Sequence, residues 1–236
     1  KLVEDFMLLA NREVATYMSN AKAVHPEQSR VAFVYRIHDA PDRDKIVNLA
    51  TFVKALGFEL KNKDGETTAE DIAKMLKSVT GTPAEMLIKT AAVRAMQKAV
   101  YSTSNIGHFG LGFEYYTHFT SPIRRYPDLM VHRLLQRYLD KGQIEQDEIL
   151  KYQKLSEDSS EREMEAAEAE RNSIKYKQVE YMSERVGQEF DATISGVSEW
   201  GVYVEEVNTK AEGMVKLRDM KDDFYELNEK LYAIIG

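Results

Sequence analysis

The stretch from His108 to Arg137, HFGLGFEYYTHFTSPIRRYPDLMVHRLLQR, constrains this chain more than any other. Aromatic, small and polar residues alternate over Phe109–Phe119, which predicts a strand or extended segment. Thr120, Ser121 and Pro122 end it. Ser121 can cap a helical turn with Pro122 in the first position, where a missing N–H costs nothing. Pro127 forbids one continuous helix from Pro122, because its ring would clash inside it. The spacing therefore predicts a tight turn over Ile123–Arg125 and a helix from about Pro127 to about Leu139. Leu129, Met130, Leu134 and Leu135 form its expected buried face.

Arg124 and Arg125 thus sit at a rigid strand–turn–helix junction. An arginine fork matches phosphate oxygens, and a pre-set backbone lowers the ordering cost of binding them. The same arginines can equally pair with Asp128 and Glu114 as a structural ion network. Spacing alone leaves both readings open. His108, His118, His132, Tyr115, Tyr116 and Tyr126 lie close by in sequence.

The remaining chain divides by its periodicities. Leu2–Met18 has a helical period with a wide apolar face, and Glu4, Asp5 and Asn11 are the polar positions nearest that face. Val31–His38 reads as a strand ended by Asp39-Ala40-Pro41-Asp42, with Arg36 and His38 on one face in structural roles. Helices are expected over about Arg43–Leu56, stopped by Gly57, and over about Ala69–Val79. Another runs from Pro83 to about Val100, with Lys89, Arg94 and Lys98 on a solvated face. Tyr101–Ile106 is expected to be a loop. Asp140-Lys141-Gly142 should stop the helix after Leu139, and Gln146 to about Met182 forms one long helical region. Its acidic piece, Ser156–Arg171, reads as solvated.

The character changes at Val186-Gly187. Glu189–Glu206 reads as two alternating strands around a glycine turn, and Gly213–Leu217 starts a third. Trp200 and Tyr203 stand three apart, so strand alternation puts them on opposite faces unless Gly201 carries a bulge or twist.

Composition restricts the classes further. The chain has 236 residues, 43% of them hydrophobic and 30% charged, which suits one or two globular domains. No apolar run approaches a membrane span, and the first residues do not read as a secretory n-region and h-region. Cysteine is absent, which excludes thiolate metal sites and fits a reducing cytoplasm. The net charge of −7 argues against nucleic-acid binding by bulk charge, although a basic groove escapes that objection. Lys1 at the start and LYAIIG at the end suggest a piece of a longer polypeptide.

The run from His108 to Leu135 closely resembles the C-terminal signature of the RNB catalytic domain of the ribonuclease II/R family. FVYRIHDAPD, LVEDFMLLAN and Glu170-Arg171 resemble further elements of that domain. The resemblance implies a largely helical α+β catalytic portion over residues 1–183. It implies a processive 3′-to-5′ exoribonuclease releasing nucleoside 5′-monophosphates from single-stranded RNA by a two-metal mechanism. Arg124 falls on the arginine that contacts the scissile phosphate; Glu4, Arg125 and Tyr126 fall beside the RNA.

Residues 184–236 resemble the first half of an S-one-type RNA-binding domain, a five-stranded OB barrel left incomplete here. That likeness puts Trp200 and Tyr203 on a base-stacking face and Lys216 where the family usually has histidine. The D-x-D-D cluster that would hold Mg²⁺ does not occur in the sequence. The chain alone is therefore expected to be inactive, its Mg²⁺ ligands lying elsewhere in a parent enzyme. Two other classes stay open: an RNA-binding module without chemistry, and a structural protein that keeps a nuclease fold.

Overall fold

A computed structural model describes residues 1–24, 32–140, 146–228 and 233–236. Its elements are α1 (Leu2–Val24), β1 (Tyr35–Ile37), α2 (Arg43–Ala55), α3 (Ala69–Ser78), α4 (Glu85–Ala95) and β2 (Val100–Ser102). They continue as α5 (Tyr126–Leu139), α6 (Gln146–Ser183), β3 (Ala192–Ser198), β4 (Gly201–Glu206), β5 (Glu212–Lys216), β6 (Glu226–Asn228) and β7 (Ala233–Ile235). The class is α+β with helix dominant, as the sequence predicts. Two compact units form, and each draws on separate stretches of chain.

The first unit comprises Lys1–Asp42, Thr68–Glu70 and Met96–Glu165. Its core joins Ala15 and Met18 of α1 to Phe33, Val34, Tyr35 and Tyr101, and to Met130, Val131, Leu134 and Tyr138 of α5. The α5 residues follow the three-or-four spacing of one helix face. Met130 and Leu134 are buried as expected, whereas Leu129 and Leu135 are only half-buried. The stripe is rotated toward Val131 and Tyr138. Each such fully buried side chain contributes about 1.5–3 kcal/mol of transfer free energy.

Three local expectations fail. The helix begun near Pro83 stops at Ala95, and Val100–Ser102 is a strand, not the end of a helix and the start of a loop. It pairs antiparallel with β1, Tyr35 opposite Ser102 and Ile37 opposite Val100, so a partner distant in sequence overrides the local pattern. Of Val31–His38, only Tyr35–Ile37 forms a ladder; Val31 lies outside the described residues. Phe109–Phe119 is not a strand. Phe109–Leu111 forms a 3-10 turn, closed by Gly112 at φ 65°. Gly110 is needed as well, since a Cβ there would stand 2.8 Å from His38 Nδ1. The following residues run extended without a ladder partner and dock through Arg36 N–H to the Tyr116 carbonyl (2.9 Å) and Thr117 Oγ1 to the Val34 carbonyl (2.6 Å).

Helix α1 runs past Met18 to Val24, and its apolar face is not buried throughout. Leu2, Val3 and Phe6 are exposed, and burial begins in earnest at Asn11. Helix α5 ends at Leu139 as expected, with Asp140 as its cap and the Asp140 N–H donating to the Gln136 carbonyl at 3.0 Å; Lys141 and Gly142 lie outside the described residues.

The second unit comprises Arg43–Thr67, Asp71–Ala95 and Ala166–Gly236. Helix α2 buries Ile46, Leu49 and Val53 and packs against α4, which buries Ile88, Ala92 and Ala95. Gly57 ends the α2 region with φ 83°, its N–H donating to the Lys54 carbonyl. Strands β3, β4 and β5 form an antiparallel meander, and β6 pairs with β7 in a separate hairpin. No closed barrel forms among the described residues.

Candidate nucleic-acid interface

The Thr120–Arg125 segment is held from both sides of the first unit. On α1, Asn11 is 4% exposed, and its Oδ1 accepts the backbone N–H groups of Phe119 (2.9 Å) and Thr120 (3.2 Å). Its Nδ2 donates to the Tyr116 hydroxyl at 3.1 Å. On α5, the fully buried Asp128 accepts the Ser121 N–H at 2.7 Å. Ser121 in turn closes the turn, its carbonyl accepting the N–H groups of Arg124 (3.3 Å) and Arg125 (3.1 Å). His132 stacks on Phe119 with ring centroids 4.0 Å apart and donates from Nε2 to the Phe119 carbonyl at 2.8 Å. The tight turn expected over Ile123–Arg125 is present, and α5 starts at Tyr126 with Pro127 in its first turn.

The two arginines separate at this turn. Arg125 is the structural one. Its Nη2 donates to Asp128 Oδ1 at 2.9 Å, while its Nε stands 2.9 Å from Oδ2 without hydrogen-bond alignment. Arg124 is exposed, and among the described residues no hydrogen bond or ion pair engages its guanidinium. Ile123 beside it is fully exposed, and Tyr126 is exposed at the start of α5. Glu4 lies exposed in the first turn of α1, seven residues before Asn11. That spacing is two helical turns, so Glu4 lies on the Asn11 side of the helix about 10 Å along the axis.

Arg36 and His38 are structural, as expected. Arg36 pairs with Glu163 at 2.5 Å and lies 4.5 Å over the Tyr101 ring. His38 accepts the Gly110 N–H on Nδ1 at 2.9 Å and contacts the Gln97 carbonyl through Nε2 at 2.8 Å, which fixes the Nε2–H tautomer. Burial pushes His118 down to about 3, with Arg125 and Arg36 adding to the shift. Burial, followed by His38 and Arg36, lowers His108 to about 4. Both stay neutral near pH 7 and act as packing and hydrogen-bonding groups, His118 Nδ1 standing 2.8 Å from the Tyr101 hydroxyl.

An acid dependence of stability follows. The unfolded histidines bind protons near pH 6.5, whereas the folded ones do not until about pH 4 and 3. Stability is therefore full above pH 6.5 and falls below it, by up to about 1.4 kcal/mol per pH unit for each histidine. Thermal unfolding should show a lower Tm at pH 5 than at pH 7.5, and His118→Gln should flatten that slope. An unchanged Tm across this range would contradict the assignment.

The second unit presents a different surface. Tyr203 pairs with Gly196 on one side and Met214 on the other, and Gly201 pairs with Lys216. Paired residues share a sheet face, so Tyr203, Met214 and Lys216 lie together. The Tyr203 ring lies across Gly196, where an added Cβ would be 3.9 Å from Cδ2. Trp200 is 68% exposed in the turn between β3 and β4, and its carbonyl accepts the Leu217 N–H at 3.2 Å. Strand alternation does not govern it. The bulge expected at Gly201 is absent; the register shift lies in β3, between Ile194 and Gly196. Gly201 serves a close approach instead, because a Cβ there would sit 2.2 Å from the Val215 carbonyl.

Among the described residues, no group of three or more His, Asp or Glu side chains converges as a metal site. Asp222 accepts the Tyr225 hydroxyl at 2.9 Å, and Asp223 accepts the Phe224 N–H at 2.8 Å. Asn11 and Asp128, which hold the turn, carry too weak a signal in sequence, since Asn11 acts on residues more than a hundred positions away.

The RNB domain family matches residues 1–141, and the chain belongs to that family. It is 38% identical over 240 residues to ribonuclease R 1 of Lactococcus lactis, covering all of this chain and 28% of that protein. Among solved structures, RNase R of Mycoplasma genitalium in complex with ribose-methylated single-stranded RNA matches with a TM-score of 0.84 and 28% identity. That match covers 99% of this chain and 36% of the other. Yeast Ssd1, described as a pseudonuclease, shares the fold with a TM-score of 0.77 at 20% identity, covering 98% of this chain and 28% of that one. The chain therefore spans about a third or less of each of these proteins.

Proposed function

We propose that the chain supplies the phosphate-side half of the active site of a 3′-to-5′ exoribonuclease that releases nucleoside 5′-monophosphates. The observation that carries the reading is Arg124: an exposed guanidinium with no partner among the described residues, on a turn held by buried side chains of two helices. A fixed cation of this kind stabilises charge developing on phosphate oxygens without reorganising during the reaction. Glu4 and Tyr126 flank the path of the RNA, and Arg125 supports it through its pair with Asp128. Residues 1–183 form the catalytic portion and 184–236 the start of an OB-type RNA-binding module. There Trp200 and Tyr203 stack on bases and Lys216 holds a phosphate. Single-stranded RNA is the partner, as in the Mycoplasma complex. Two Mg²⁺ ions would supply the attacking hydroxide and stabilise the leaving oxygen, on ligands outside this chain. A cysteine-free chain suits the cytoplasm.

The pseudonuclease likeness makes a fold without catalysis the second reading. One experiment separates them. Full-length protein and the 236-residue chain are each incubated with single-stranded RNA and Mg²⁺, and mononucleotide release is followed beside RNA binding. The first reading expects release by the full-length protein only. The chain should bind RNA without cleaving it, and Trp200→Ala or Tyr203→Ala should weaken that binding by about 1–3 kcal/mol. A full-length protein that binds but never cleaves favours the pseudonuclease reading. Cleavage by the chain alone shows metal ligands within it.

A further inference from the structure

We infer that Asn11 is a positioning residue for the reaction: through the Phe119 and Thr120 amides it sets the turn that aims Arg124. The inference rests on the proposed phosphate role of Arg124 and deepens it. Among the described residues no strand ladder supports residues 114–120, so their amides need other acceptors. Asn11 provides one oxygen for two consecutive N–H groups and Asp128 a second for the next N–H along, Ser121. Three successive amides are thereby anchored to two different helices immediately before Arg124.

The amide orientation is settled by chemistry. Two backbone donors require Oδ1, which leaves Nδ2 to donate to the Tyr116 hydroxyl. Asn11 is 4% exposed and its amide bonds to Tyr116, Phe119 and Thr120, so a mere helix-surface role does not account for it. Removing the side chain would leave two amides unsatisfied and free the turn to move. Misplacing a catalytic group by about 1 Å costs on the order of 10²-fold in rate.

The test uses the full-length protein with Asn11→Ala, Asn11→Asp, Arg124→Ala and the Asn11→Ala/Arg124→Ala double variant. Asn11→Ala should lower turnover by about 10- to 100-fold with KM nearly unchanged. Asn11→Asp keeps the acceptor oxygens and should restore much of that loss. In the Arg124→Ala background, Asn11→Ala should change turnover little, because the group it positions is gone. Amide hydrogen exchange should accelerate at Phe119 and Thr120 while the α5 core amides stay protected. Equal rate losses with and without Arg124, or unchanged exchange at those two amides, would overturn the inference. Should Arg124→Ala alone leave turnover intact, the phosphate reading fails and the inference about aiming fails with it; exchange at Phe119 and Thr120 then still decides whether Asn11 holds the turn.

Discussion

Replacing Arg124 by alanine in the full-length protein should reduce turnover on single-stranded RNA by about 10²- to 10³-fold while leaving KM within a few-fold of wild type. The reasoning is differential binding. On the proposed reading, bulk RNA affinity would come from many contacts along the strand, with the Tyr203 face as one of them, so one exposed arginine would contribute little to it. At the reacting phosphate the negative charge redistributes in the transition state, and a pre-placed fork gains strength there. Arg124→Lys should recover only part of the loss, because an ammonium keeps the charge without the planar two-donor geometry. A parallel rise in KM with unchanged turnover would instead mark Arg124 as an ordinary strand contact.

The second large effect concerns stability. Asp128→Ala should destabilise the first unit by about 3–5 kcal/mol, the range expected when one partner of a buried ion pair is removed. Asp128 is fully buried, and Arg125 beside it has a side chain only 25% exposed. The alanine variant leaves that guanidinium without its carboxylate and the Ser121 N–H without its acceptor. Asp128→Asn keeps an acceptor for Ser121 and should lose less. Urea unfolding of the three proteins checks the order wild type, asparagine, alanine. An alanine variant as stable as wild type would show that the Asp128 pair does not hold the turn.

These expectations join features of very different visibility in the sequence. Helices α2, α3 and α6 were legible because their apolar periods, caps and stops are local. The turn before α5 was legible for the same reason: Ser121, Pro122 and Pro127 favour it locally, and Asn11 and Asp128 then hold it in place. The chain from Phe109 to Phe119 misled because its alternation mimics a strand. Gly110 and Gly112, which permit the 3-10 turn against His38, outweigh that pattern only once His38 is in place. Strand β2 was hidden by its distant partner, Tyr35–Ile37.

The candidate site shows the same division. Arg124 and Arg125 look equivalent in sequence, and only the position of Asp128 assigns one to the scaffold and frees the other. Trp200 could not be placed by strand alternation, because it lies in the turn before β4 and not in a strand. The inward stripe of α1 was visible, but the partners of Asn11 were not, since tertiary folding alone brings Phe119 and Thr120 to it.

The central claim, that the clamped turn presents Arg124 to the reacting phosphate, has a direct measurement. It is a crystal structure of the full-length protein with a ribose-methylated single-stranded RNA at its 3′ end. Both terminal nitrogens of Arg124 should lie within hydrogen-bonding distance of oxygens on the phosphate next to the terminal nucleotide. Arg125 should remain on Asp128. An Arg124 side chain turned onto a protein carboxylate, with that phosphate bound by other residues, would contradict the claim.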